Sequence, residues 1–160
     1  MKYEVYSLWK FLENSLNWKQ TINSYPPYLY SGIEVVSVSP DFRKIEVQLH
    51  EHIWNRNYVG VHFGGSLYAM TDPFYMFMLM KYYGPDYIVW DKAASIEFLK
   101  PGSGTVSAVF ELHDSDIQAI YKKLETKRSC DHTFTADVKN EKGTVCARVQ
   151  KVLYIRRPKQ

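Results

Sequence analysis

Val5, Leu8, Trp9, Leu12 and Leu16 recur at helical spacing and predict an N-terminal amphipathic helix that ends before the break at Tyr25-Pro26-Pro27-Tyr28. Past Gly32 the period changes. Ile33 to Val38 and Lys44 to His50 read as strands separated by Pro40-Asp41, and in the second Ile45, Val47 and Leu49 alternate with Lys44, Glu46 and Gln48, as in a half-buried antiparallel strand. From Gly65 to about Tyr83 the chain is apolar with no polar stripe (Leu67, Tyr68, Met70, Phe74 to Met80), which predicts one buried helix stopped by Gly84-Pro85. Ile88 to Leu99 and Thr105 to Leu112 read as two more strands. A short helix follows, with Ser115 and Gln118 as its capping box and Ile117, Ile120, Tyr121 and Leu124 as its buried stripe. His132 to Val138 and Thr144 to Ile155 then form a hairpin across Asn140-Glu-Lys-Gly143.

A helix apolar on every side needs cover, and in one domain of 160 residues only sheet is large enough to provide it. The expected architecture is therefore α+β. A formal net charge of +3, from 20 basic and 17 acidic residues, gives no field strong enough to draw in nucleic acid or a membrane. The 13 Tyr, 8 Phe and 4 Trp suit a wide core, a subunit interface or an apolar tunnel, and composition does not choose among them. Cys130 and Cys146 fall on the paired strands, Cys146 opposite Asp137 and Cys130 near Leu153, so no disulfide is expected. The N-terminus lacks an apolar signal core and Phe74 to Met80 is too short to span a bilayer, so the chain reads as cytoplasmic.

The chemistry concentrates between Asn57 and Asp72. Gly64 and Gly65 stand at the mouth of the apolar helix, where bare backbone N–H groups suit an oxyanion. Asp72 lies among Leu67, Tyr68, Met70, Phe74 and Met76, a setting in which a carboxylate needs a partner or a task. The segment resembles the hotdog-fold acyl-CoA thioesterase superfamily, whose pattern runs Asn, two residues, Gly, two residues, His-Gly-Gly, then an acidic residue seven positions on. Asn57, Gly60, Gly64, Gly65 and Asp72 match it; the family His is replaced by Phe63, with His62 one residue earlier. Asp72-Pro73 and the stretch from Asp91 to Pro101 bring the chain closest to a branch of uncharacterised thioesterases within that superfamily.

The resemblance implies a hotdog fold, a curved antiparallel sheet wrapped around a long central helix, with residues 1–30 as N-terminal helix and linker and 33–155 as the core. It implies hydrolysis of acyl-CoA or a related thioester. In that reading Asp72 is general base or nucleophile, Gly64 N–H stabilises the oxyanion, Asn57 aligns carbonyl or water, and Gly65 and His62 contact substrate. Eight residues of straight helix separate Gly64 from Asp72 by about 12 Å, too far to serve one carbon, so the site combines two subunits and the protein is a dimer or a dimer of dimers. No cofactor and no metal are expected. His50-Glu51-His52 could offer two imidazoles, but no third ligand is evident. Lys122, Lys123, Lys127 and Arg128 read as the wet face of their helix. The runner-up function is a non-catalytic acyl-thioester or lipid binder in which Asp72 is structural. A hydratase is disfavoured by Phe63 at the His position.

Overall fold

The computed structural model describes residues 6–159. Three short helices open it, α1 (Ser7–Ser15), α2 (Trp18–Asn23) and α3 (Pro26–Ser31), where the periodicity predicts one. Val5, the first residue of that stripe, lies outside the described residues. The helix divides because Asn17 caps α2 in a capping box with Gln20, and Pro26 starts α3 from its first turn. No side chain of α1 is buried, and Trp9 meets the rest through the edge of Tyr25.

Next come β1 (Ile33–Val38), β2 (Lys44–Leu49), α4 (Gly64–Ala69), α5 (Phe74–Tyr83), β3 (Ile88–Phe98), β4 (Val106–Glu111), α6 (Asp114–Thr126), β5 (Ser129–Asn140) and β6 (Val145–Arg156). The six strands form one antiparallel sheet in the order β1-β2-β4-β5-β6-β3. Alternation decides its faces. Val35, Ile45, Val47, Val106, Phe110, Ala136, Leu153 and Ile155 are buried on the side covered by Leu67, Met70, Phe74, Met78 and Leu79 of the central segment. Phe74 sits at the centre of this packing, its ring 5.0 Å from Phe110 and 5.9 Å from Tyr28.

The central segment, expected as one helix from Gly65, is two. Thr71 N–H and Thr71 Oγ1 both reach the Tyr68 carbonyl, at 2.9 and 2.7 Å, and Asp72 N–H reaches Ala69 at 3.1 Å, so α4 closes in tight turns. Pro73 has no N–H to carry the ladder on, and α5 restarts when Phe77 N–H meets the Pro73 carbonyl. Asp72 therefore stands in the break rather than within a helix.

Two local expectations are corrected. α6 is capped by His113 with Asp116 rather than by Ser115 with Gln118, so it begins earlier than predicted. In the last hairpin Asp137 faces Arg148, not Cys146, and Cys130 faces Ile155, because the turn closes from Asn140 to Thr144 and a bulge at Val138/Lys139 adds a further residue of displacement; both cysteines are free.

Candidate active site

Asp72 owes its position to the break between α4 and α5, and three elements converge on it. From β6, Lys151 Nζ contacts Asp72 Oδ1 in a short ion pair. From β3, Asp91 Oδ1 lies 3.0 Å from the same ammonium, an ion pair without the alignment of a hydrogen bond. From α3, the Tyr28 hydroxyl donates to the Asp72 carbonyl in another short contact. The Tyr68 ring of α4 stands with its centroid 5.4 Å from the ammonium.

The accessibilities are graded. The Lys151 side chain is 1% exposed, Asp91 21% and Asp72 42%, so the ammonium is sealed in while the Asp72 carboxylate opens outward. Burial alone would pull the Lys151 ammonium down; Asp72 and then Asp91 outweigh it, and the net shift is upward. Burial pushes the Asp91 carboxyl up against the pull of Lys151. The Tyr28 hydroxyl is raised too, first by burial and then by the Asp72 charge.

Gly64 and Gly65 start α4 behind Phe63. Ser66 N–H bonds the Phe63 carbonyl at 2.9 Å, so the two glycine amides precede the hydrogen-bond ladder. Phenyl rings frame them: a Cβ on Gly64 would meet Phe98 at 2.9 Å, and one on Gly65 would strike Phe63. Both rings are more than half exposed. The residue in the family His position is thus an apolar wall beside the amides.

Asn57 and His62 are engaged nearby. Asn57 Oδ1 accepts from the Val59 and Val61 amides, at 3.0 and 3.2 Å, and its Nδ2 donates to the His62 carbonyl, so its amide closes the 57–62 loop. His62 is buried; its Nε2 donates to the Gly104 carbonyl at 2.8 Å, which leaves Nδ1 as an acceptor with no hydrogen-bond partner among the described residues. The structure thus gathers Asp72 with Lys151 and Asp91, and Gly64 with Gly65, Phe63 and Phe98, while Asn57 and His62 shape the loop leading into α4.

Lys151 escaped the sequence reading. A signal was present, because it falls in phase with Val149, Leu153 and Ile155 on the apolar face of β6. Asp91 shares that face of β3 with Val89, opposite Leu153. Charged residues in the apolar phase of two neighbouring strands mark a buried pair.

The other candidates point elsewhere. His50 pairs with Glu34 at 3.2 Å and His52 stacks on Trp54. Lys122, Lys123 and Lys127 line an open depression of about 800 Å³ between α6 and the sheet, which none of the predicted site residues touches. Among the described residues no helix is long and apolar enough to cross a membrane.

A six-stranded antiparallel sheet wrapped on a central helical segment is the hotdog fold, and solved structures share it. A Pseudomonas aeruginosa protein of unknown function, described as a probable thioesterase, is 14% identical over 87% of this chain and 93% of its own, with a TM-score of 0.72. A Chlorobaculum tepidum protein of unknown function is 15% identical, covering 94% of each chain, with a TM-score of 0.68. A Haemophilus influenzae thioesterase is 16% identical over 99% of this chain and 96% of its own, with a TM-score of 0.64. At these identities the likeness establishes the fold. The chain belongs to the family described as Domain of unknown function (DUF4442), whose model matches residues 17–155. No curated protein matches it.

Proposed function

We propose that the protein is a cytoplasmic, homo-oligomeric thioester hydrolase acting on acyl-CoA or a related acyl thioester. The observation that carries this reading is the Asp72 carboxylate: one oxygen is tethered to a buried ammonium, and the side chain stays accessible at the break in the central segment. A carboxylate so anchored is oriented toward whatever enters beside it and can take a proton from water or attack the thioester carbon itself. The free amide at Gly64 supplies the complementary function, stabilising negative charge as it develops on the carbonyl oxygen. Gly65, without a Cβ, lets the Phe63 ring lie against the backbone beside that amide. Asn57 and His62 hold the loop that sets these amides in place.

Gly64 of one subunit works with Asp72 of another, and two features support a shared site. β3 is a long sheet edge on which Ala93, Ala94, Ser95 and Phe98 are exposed, and Met76, Phe77 and Met80 leave one side of α5 half-covered. A second copy placed against that edge covers both and brings two central segments together.

Hydrolysis of short, long and aromatic acyl-CoA substrates, followed by thiol release, tests the proposal. Wild type turns over at least one class, and Asp72→Asn reduces turnover by roughly two to four orders of magnitude with the fold intact. The second reading, a non-catalytic acyl-thioester or lipid binder, is favoured by the Lys151 ion pair, which alone gives Asp72 a structural task. Wild-type protein inert on the whole panel, yet binding acyl chains with unchanged affinity after Asp72→Asn, decides for the binder.

A further inference from the structure

Lys151 is a cation with nearly complete burial, placed between two carboxylates of unequal exposure. For stability alone one partner would satisfy it, and a second buried carboxylate adds a desolvation penalty. For a base the arithmetic differs. One ammonium facing one carboxylate neutralises it and weakens it as a proton acceptor, whereas one ammonium shared by two carboxylates leaves the group of three with a net negative charge. The oxygen geometry agrees: the ammonium takes Asp72 through Oδ1, and Asp91 meets the same ammonium from the adjacent strand without good hydrogen-bond alignment.

We propose that Lys151 and Asp91 are positioning residues for Asp72: the ammonium fixes the direction of the Asp72 carboxylate, and Asp91 draws off part of its charge so that Asp72 remains a competent base. This rests on the hydrolase reading. Among the described residues, the charged and titratable groups facing the cluster are Asp72 from the break, Asp91 from β3, Lys151 from β6, Tyr68 from α4 and Tyr28 from α3, the last through the Asp72 carbonyl.

The proposal makes opposite predictions for two variants. Asp91→Asn leaves Lys151 to face Asp72 alone, so the acid limb of the kcat/KM pH profile moves to lower pH and the rate at the plateau falls. Lys151→Met leaves two carboxylates facing each other, so the limb moves to higher pH. A purely structural role lowers the rate and leaves the limb in place. Limbs that stay put, or that move the same way, in variants with wild-type circular dichroism overturn the proposal. Should Lys151→Met fail to fold, the near-isosteric Asp91→Asn decides alone through the direction of its shift. Carbon-13 titration of the side-chain carboxyls in wild type and Asp91→Asn reads the same displacement without substrate. An enzyme inert on every thioester whose carboxyl titration still shifts in Asp91→Asn therefore overturns the hydrolase reading and leaves the electrostatic coupling standing, while an unmoved titration overturns the coupling itself.

Discussion

Gly32 holds a left-handed backbone, φ 79°, between α3 and β1, and a Cβ there would stand 2.7 Å from the His50 carbonyl oxygen and 2.8 Å from Asn55 Nδ2. Backbone cannot yield as a flexible side chain can. Gly32→Ala therefore destabilises the protein by about 2 kcal/mol or more, read as a lower urea midpoint at unchanged slope. His62 offers a contrast. It binds a turn carbonyl, and its ring is sealed beside Gly102 rather than beside Asp72, so His62→Ala lowers turnover less than Asp72→Asn does and acts mainly by loosening the loop into α4, as a thermal melt beside the thiol assay will show. Asp72 was legible in the sequence because a carboxylate in an apolar run is conspicuous. Its partner was not, because lysines at strand positions are ordinarily wet, and only the phase of Lys151 against Val149 and Leu153 separates it from its neighbours.

Among the elements, strands were the most legible, because alternation on a sheet with one covered face states both existence and orientation. Ends and registers were less so. The last hairpin slips by two residues against its predicted pairing, one in the turn from Asn140 to Thr144 and one at the bulge at Val138/Lys139, a backbone event with no distinctive residue to announce it. The register it produces sets Asp137 against Arg148 in a two-pronged ion pair at 2.7 and 2.9 Å on the outer face. Arg148 holds the Asp137 carboxyl below its usual range. The folded value is depressed, so the stabilisation is present above the unfolded carboxyl's pKa, about 3.9, and is lost as pH falls through the lower folded value. Melting temperatures of Asp137→Asn should thus lie slightly below wild type at pH 7 and converge with it in acid. Within the central segment Phe74 is fully buried against Phe110 and Tyr28, and Phe74→Ala should cost about 3–5 kcal/mol in chemical denaturation. The break before it lies at Pro73, which the apolar run on both sides concealed, so that one continuous helix was expected where there are two.

At the scale of the whole molecule, an α+β architecture could be read from a helix too apolar to stand alone, whereas the hotdog fold itself was legible only through the resemblance carried by Asn57 to Asp72; the family match runs over residues 17–155. The partner could not be read so directly, since the two-subunit argument assumed one straight helix between Gly64 and Asp72. The exposed edge of β3 gives the expectation a firmer basis. Sedimentation at micromolar concentration should find a dimer or tetramer, and Ser95→Lys, which puts a charge on that edge on the face away from Lys151, should shift the population toward monomer and reduce turnover in parallel. Activity that survives intact in the monomer would sink the composite site.

The Tyr28 hydroxyl bond to the Asp72 carbonyl makes the leading helices something other than an appendage. Among the described residues Tyr28 is the earliest in sequence to bond Asp72, reaching its main-chain carbonyl across 44 positions, and its ring packs against those of Tyr25 and Phe74. A chain shortened to begin at Gly32 would retain every strand and every residue of the recognised motif, yet it would have lost the brace that keeps the break in register. Such a truncation should still fold around its sheet while its carboxylate wanders, so that the site fails before the scaffold does.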